Sequence, residues 1–144
     1  NYLIVRTAWL YGKHGNSFPA TMKRLVEANG TVAVVTDEVG QPTWTVDLAD
    51  LIVRLIDAEA PSGIYHGTSS GSTNWNGFAK AIMESIGKDP EVVKETTAAA
   101  FNRPAPRPHY SVLGHLALER IGVEPIGNWA ERWKEASNVV LAED

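Results

Sequence analysis

Residues 2 to 9 read Tyr2-Leu3-Ile4-Val5-Arg6-Thr7-Ala8-Trp9, and the first four form an unbroken apolar run. A run this short, apolar on both faces, is expected at the centre of a parallel sheet, where both sides are covered. Such a strand needs neighbours. The chain opens on it directly, with Asn1 ahead of it and no initiator Met or leader. The expectation is therefore a segment that starts inside a larger fold, with its flanking strands in preceding sequence.

Outward from that run, strand and helix patterns alternate. A loop through Gly12 and Gly15 leads to a helix capped by Asn16 or Ser17, with Pro19 in its first turn. Its buried face is Phe18, Met22, Leu25 and Val26, and Gly30 ends it. Residues 31 to 35 are β-branched and apolar enough for a second strand, and 37 to 44 read as a loop. Thr45 can cap a helix with Asp47 in its first turn and Leu48, Leu51, Ile52, Leu55 and Ile56 as its apolar face. Residues 64 to 66 make a short strand, and 67 to 72 a small polar loop. A helix from about Asn74 carries Trp75, Phe78, Ala79, Ile82 and Ile86 at helical spacing. Residues 92 to 96 suit an edge strand. Residues 101 to 108 hold three prolines and must run extended, because proline has no amide proton for a ladder. Residues 110 to 113 suit a short strand. Helices around 116 to 121 and from Asn128, the latter with Trp129 and Trp133 on one face, complete an α/β chain.

Composition narrows the function. With 144 residues and 44% hydrophobic content, the chain fits one globular unit with a real core. A formal charge of -4 and singly scattered basic residues disfavour nucleic acid and anionic membranes as partners. The absence of cysteine removes thiol chemistry and thiolate metal sites and favours a cytoplasmic origin. His14, His66, His109 and His115 show no metal-ligand pairing, so no metal site is expected.

A stand-alone nicotinamide-dependent enzyme needs a glycine-rich turn between strand and helix, so that backbone can approach a pyrophosphate. Gly12 and Gly15 are not followed by a third glycine at the required position. A Tyr with Lys four positions later is also missing, since Tyr2, Tyr11, Tyr65 and Tyr110 meet Arg6, Gly15, Ser69 and Gly114 at that offset.

Three ordered motifs fit together: Leu3 to Gly12 around Arg6-Thr7-Ala8-Trp9; Asp37-Glu38-Val39-Gly40-Gln41-Pro42-Thr43; and Pro104-Ala105-Pro106-Arg107-Pro108. Their order and spacing resemble the dTDP-4-dehydrorhamnose reductases, a family of extended short-chain dehydrogenases, over nearly the whole chain. The resemblance implies the C-terminal part of a Rossmann-like, NAD(P)-binding fold. Residues 1–144 form a single segment, of which 1–35 would be the last Rossmann strands and helix, and 36–144 mostly a substrate-binding subdomain. It also implies that NADPH reduces the C4 keto group of dTDP-4-dehydro-L-rhamnose. The cofactor turn and the catalytic Tyr and Lys would precede residue 1, so this segment alone should contain no catalytic residue and be inactive. The parent is open to homodimerisation. A free-standing nucleotide-sugar binding module, a scaffold, and a fragment of a related epimerase or dehydratase are the alternatives.

The resemblance assigns roles by position. Arg6, Thr7 and Ala8 leave the carboxyl end of the first strand, where open α/β sheets bind ligands, and would flank the cofactor. Trp9 would pack on the sugar and exclude water, against the alternative of a core-edge aromatic. Asn16 would contact diphosphate or sugar, or else cap the helix. Gln41 and Thr43 would read a pyrimidine edge or sugar hydroxyl. Arg107, stiffened by Pro106 and Pro108, would take the diphosphate as a bidentate cation, with Arg103 in reserve. Trp75, Trp129 and Trp133 are expected to pack helices.

Overall fold

The computed structural model describes residues 2–101, 104–105 and 107–142. The opening run forms β1 (Leu3–Arg6), followed by the two-residue β2 (Leu10–Tyr11) and helix α1 (Phe18–Asn29). Ser17 is the N-cap of α1 and Pro19 lies in its first turn, so the missing proline amide costs no helical bond. Gly30 closes the helix at φ 76, a left-handed conformation that a side chain would oppose, and its amide donates to the Val26 carbonyl.

β3 (Val32–Val35) follows, and the expected loop over 37 to 44 contains two short strands, β4 (Val39–Gly40) and β5 (Thr43–Trp44). Helix α2 (Thr45–Asp57) starts with Thr45 inside it and Trp44 as its N-cap. Leu51 and Leu55 are fully buried, whereas Ile52 and Ile56 point outward, contrary to the expected apolar face. Asp47 does more than offset the helix dipole. Arg132 donates to both of its carboxylate oxygens, at 3.0 and 2.8 Å, tying α2 to the last helix.

β6 (Gly63–His66) is parallel to β1, with Ile4 opposite Ile64 and Val5 opposite Tyr65. Leu3, Val5 and Tyr65 face a core made with Leu51, Leu55, Leu118, Val123 and Ile126. The other face of the pair is bare: Ile4 and Ile64 are 48% and 44% exposed. The strand is thus half-covered rather than covered on both faces, and β6 is its one ladder partner among the described residues.

The 67 to 72 loop contains β7 (Ser69–Ser70), and β8 (Thr73–Asn74) runs into helix α3 (Trp75–Ser85). The Asn74 side chain caps α3 by accepting from the Gly77 amide at 2.7 Å. β9 (Val93–Thr96) pairs in parallel with β3. Residues 110 to 113 give a single bridge, Val39 to Tyr110, in place of the expected strand. α4 (Leu116–Arg120), β10 (Ile126–Asn128) and α5 (Trp129–Val140) close the chain, with Asn128 capping α5 through the Ala130 amide.

The larger core joins α1, β3, α3, β9 and α5. Phe78, Ala79, Ile82 and Met83 are fully buried there against Met22, Val26, Val34, Val93 and Trp133. Each large apolar side chain so buried contributes about 1.5–3 kcal/mol. The Trp133 indole N–H is satisfied by Ser85 Oγ at 2.8 Å, so its burial leaves no orphan donor. Tyr11 packs in this core between Phe78 and Trp133, and burial pushes its hydroxyl pKa up. α1 and β3 belong to the larger core, whereas α2 and β6, beyond residue 35, pack with β1.

Candidate functional site

The carboxyl end of β1 carries Arg6, Thr7, Ala8 and Trp9, as the sequence predicts. Arg6 is exposed, and Thr7 and Ala8 are half-buried. The Thr7 hydroxyl oxygen is buried and has no hydrogen-bond partner among the described residues. Such a group is costly unless something satisfies it, by about 1–3 kcal/mol.

Trp9 adopts φ 47, a left-handed conformation that costs a non-glycine residue about 1–2 kcal/mol. Three contacts hold it there. The Thr43 amide donates to the Trp9 carbonyl at 3.1 Å. The Trp75 indole stacks on the Trp9 ring, with centroids 3.6 Å apart and planes within 10°. Gly40 lies against the Nε1–Cε2–Cζ2 side of the ring, so closely that a Cβ there would fall 2.5 Å from Cε2. A stacked aromatic pair contributes about 0.5–1.5 kcal/mol beyond its buried area, comparable to the backbone strain it helps to hold. Trp75 is therefore more than the helix-packing residue expected from its spacing. What the sequence offered was its place as the first residue of α3, straight after a polar loop.

Beside this stack, a cleft of about 360 Å³ opens between α1 and β3. Phe18, Met22, Leu25, Trp75 and Phe101 are among its walls, and Arg107 lies at it. The walls are mostly apolar, and an exposed, permanently charged guanidinium borders them. Arg103 and Pro106 lie outside the described residues.

Arg107 is presented by a strap. The Val39 amide donates to the His109 carbonyl at 2.8 Å and the Ser111 amide to the Val39 carbonyl at 2.9 Å. His109 Nδ1 donates to the Asp37 carbonyl at 2.8 Å. Gln41 continues the same pattern with its side chain, donating from Nε2 to the Leu113 carbonyl at 3.1 Å and accepting from the Leu113 amide at 2.8 Å. Alternate residues 37, 39 and 41 thus grip alternate residues 109, 111 and 113. Beyond the strap, His66 Nδ1 donates to the Gly114 carbonyl at 2.7 Å, and Thr68 Oγ1 shares a hydrogen bond of 2.9 Å with His115 Nε2. Burial depresses the His115 pKa below its usual 6.5.

The predicted binding residues therefore separate. Arg107 is exposed at the cleft, Trp9 is half-buried in the stack, and Asn16 is exposed one residue before the Ser17 cap, so capping does not compete for it. Gln41 is 2% exposed, and its amide is occupied by Leu113. Thr43 is fully buried, donating from Oγ1 to the Gln41 carbonyl at 3.1 Å and accepting from the Ser69 amide at 3.2 Å. Both side chains are thus engaged within the protein, Gln41 with the strap and Thr43 with the Gln41 carbonyl and Ser69 amide. Phe18 and Leu25, expected only as part of the buried face of α1, and Phe101, given no role by the sequence, are cleft residues.

The family model described as RmlD substrate binding domain matches residues 1–141. The chain is 48% identical over 130 residues to dTDP-4-dehydrorhamnose reductase of Streptomyces griseus, covering 88% of this chain and 43% of that protein. It is 45% identical over 139 residues to the probable dTDP-4,6-dihydroxy-2-methyloxan-3-one 4-ketoreductase of Streptomyces antibioticus, covering 96% and 47%. A crystal structure of dTDP-4-dehydrorhamnose reductase from Bacillus anthracis in complex with NADP superimposes with a TM-score of 0.86 at 37% identity, covering 94% of this chain and 47% of that one. The chain spans about half the length of the curated relatives it matches.

Proposed function

The chain belongs to the RmlD substrate-binding-domain family, and on that premise we propose that it is the substrate-side half of an NADPH-dependent reductase converting dTDP-4-dehydro-L-rhamnose to dTDP-L-rhamnose. The observation that carries this reading is the apolar, aromatic-walled cleft with Arg107 beside it. Its walls suit a nucleoside base, and a guanidinium suits the diphosphate attached to it. Asn16 adds a neutral donor near the start of α1, where free amides also favour an anion.

The sugar then extends toward the end of β1, where Trp9 covers it and excludes water. Thr7 fits the cofactor side of that boundary, because its buried hydroxyl lacks a partner that a bound nicotinamide nucleotide can supply. Arg6 and Ala8 flank it. NADPH, when bound, supplies the hydride. The carbonyl carbon gains that hydride and its oxygen a proton, giving an alcohol, and the proton donor belongs to the cofactor-binding half. Gln41 and Thr43 act indirectly, holding the strap and the Trp9 carbonyl in place. The reaction is proposed for the cytoplasm, and no helix among the described residues is long and apolar enough to cross a membrane.

The test joins this chain to its cofactor-binding half and follows NADPH oxidation with dTDP-4-dehydro-L-rhamnose. Oxidation dependent on the sugar nucleotide is expected, and the chain alone should show none. Absence of turnover, with NADPH bound and the protein folded, would sink the proposal.

A further inference from the structure

Trp75 meets two partners that the proposed reaction keeps separate. Its ring plane is stacked on Trp9 at 3.6 Å. It is also a wall of the Arg107 cleft, where Phe18 packs on it with centroids 4.6 Å apart. Trp9 does not take its orientation from local backbone preference, since φ 47 is disfavoured for a bulky residue. Its indole is aimed by what surrounds it: Gly40 along one side and Trp75 across one face. Of these, only Trp75 also borders the cleft.

We propose that Trp75 is a positioning residue for the sugar reduction, acting through Trp9 and linking occupancy of the Arg107 cleft to the placement of the Trp9 ring over the sugar. This rests on the reductase reading above. A flat, rigid ring suits the task, because it transmits a shift at the cleft wall to its stacked partner with few rotatable bonds to absorb it. A nucleotide seated against Trp75 fixes the ring, and the ring fixes Trp9. The effect belongs in turnover, since misplacement of reacting groups by about 1 Å can cost about a hundredfold in rate.

The experiment uses the full-length reductase with Trp75→Phe, Trp75→Met, Trp9→Ala and the combinations of each Trp75 variant with Trp9→Ala. Trp75→Met, which fills space without a plane, should lower kcat about tenfold or more and leave the KM for NADPH unchanged. Trp75→Phe, which keeps a ring, should stay within about threefold of wild type. In the Trp9→Ala background neither substitution should lower kcat further, because residues that act through one another are not additive. The circular-dichroism couplet of two stacked indoles should vanish in every variant. Additive losses, an unchanged kcat in Trp75→Met or in Trp9→Ala, or Trp75→Phe as slow as a folded Trp75→Met would each overturn the proposal. Should Trp75→Met not fold, Trp75→Phe carries the cycle, and its smaller loss must disappear alongside Trp9→Ala. A wild-type enzyme that cannot reduce the sugar nucleotide refutes the reductase reading itself, whereas an active wild type with additive losses refutes only the role of Trp75.

Discussion

Gln41 and Leu113 exchange two hydrogen bonds, the Gln41 amide group donating to the Leu113 carbonyl at 3.1 Å and its oxygen accepting from the Leu113 amide at 2.8 Å. A side chain here stands in for a strand, ending a strap whose middle rungs, at Val39, are backbone. Gln41→Leu keeps the volume and removes both bonds, leaving two main-chain groups without partners. The expected loss is about 1–3 kcal/mol in denaturant unfolding. Hydrogen exchange at the Leu113 amide should accelerate more than at Val34, in the core. Equal protection at Leu113 in both proteins would show that the strap does not depend on Gln41.

Gly40 is required by Trp9 rather than by its own backbone. A Cβ would lie 2.5 Å from Trp9 Cε2, and a ring already stacked on Trp75 has little room to yield. Gly40→Ala is therefore expected to cost about 1–3 kcal/mol through overpacking. It should also reduce turnover of the full-length enzyme. A variant with wild-type stability and kcat would mean that the indole moves freely.

Arg107 contributes charge at an exposed position where it holds up no core. Arg107→Ala should leave the unfolding midpoint within about 0.5 kcal/mol of wild type. The KM for the nucleotide sugar should rise by about tenfold or more, with the KM for NADPH unchanged, since a charge-assisted contact contributes about 1.5–3 kcal/mol. Equal rises in both constants would remove its assignment to the diphosphate.

His115 makes stability depend on pH. Burial holds its pKa below the usual 6.5, with the His66 charge adding to the depression, while its bond to Thr68 and the Glu119 charge act in the opposite sense. The unfolded chain then binds the proton more tightly than the folded one. The stabilisation is complete above the unfolded value and is lost as pH falls below 6.5 toward the depressed folded value. His115→Gln, which can still bond Thr68 without titrating, should flatten that slope. Unfolding midpoints measured between about pH 5 and 8 test this, and parallel profiles for the two proteins would exclude His115 as the source.

The sequence by itself determined the features that depend on residues close together along the chain. Gly30 at the end of α1 and the helix starts near Asn74 and at Asn128 are legible because the bonds that end a helix reach only about two to four residues along the chain. The alternation of strand and helix, and the placing of Trp9 at a strand end, follow from the same local patterning. Ile52 and Ile56 show its limit, because helical spacing cannot say which side of α2 the core will occupy. Tertiary structure alone decided what these side chains touch. Gln41 reads as a ligand until Leu113, 72 residues on, occupies its amide. Trp75 reads as a packing residue until the fold lays it on Trp9. A polar or aromatic side chain carries the same bonding capacity wherever it stands, and only packing chooses the partner that uses it.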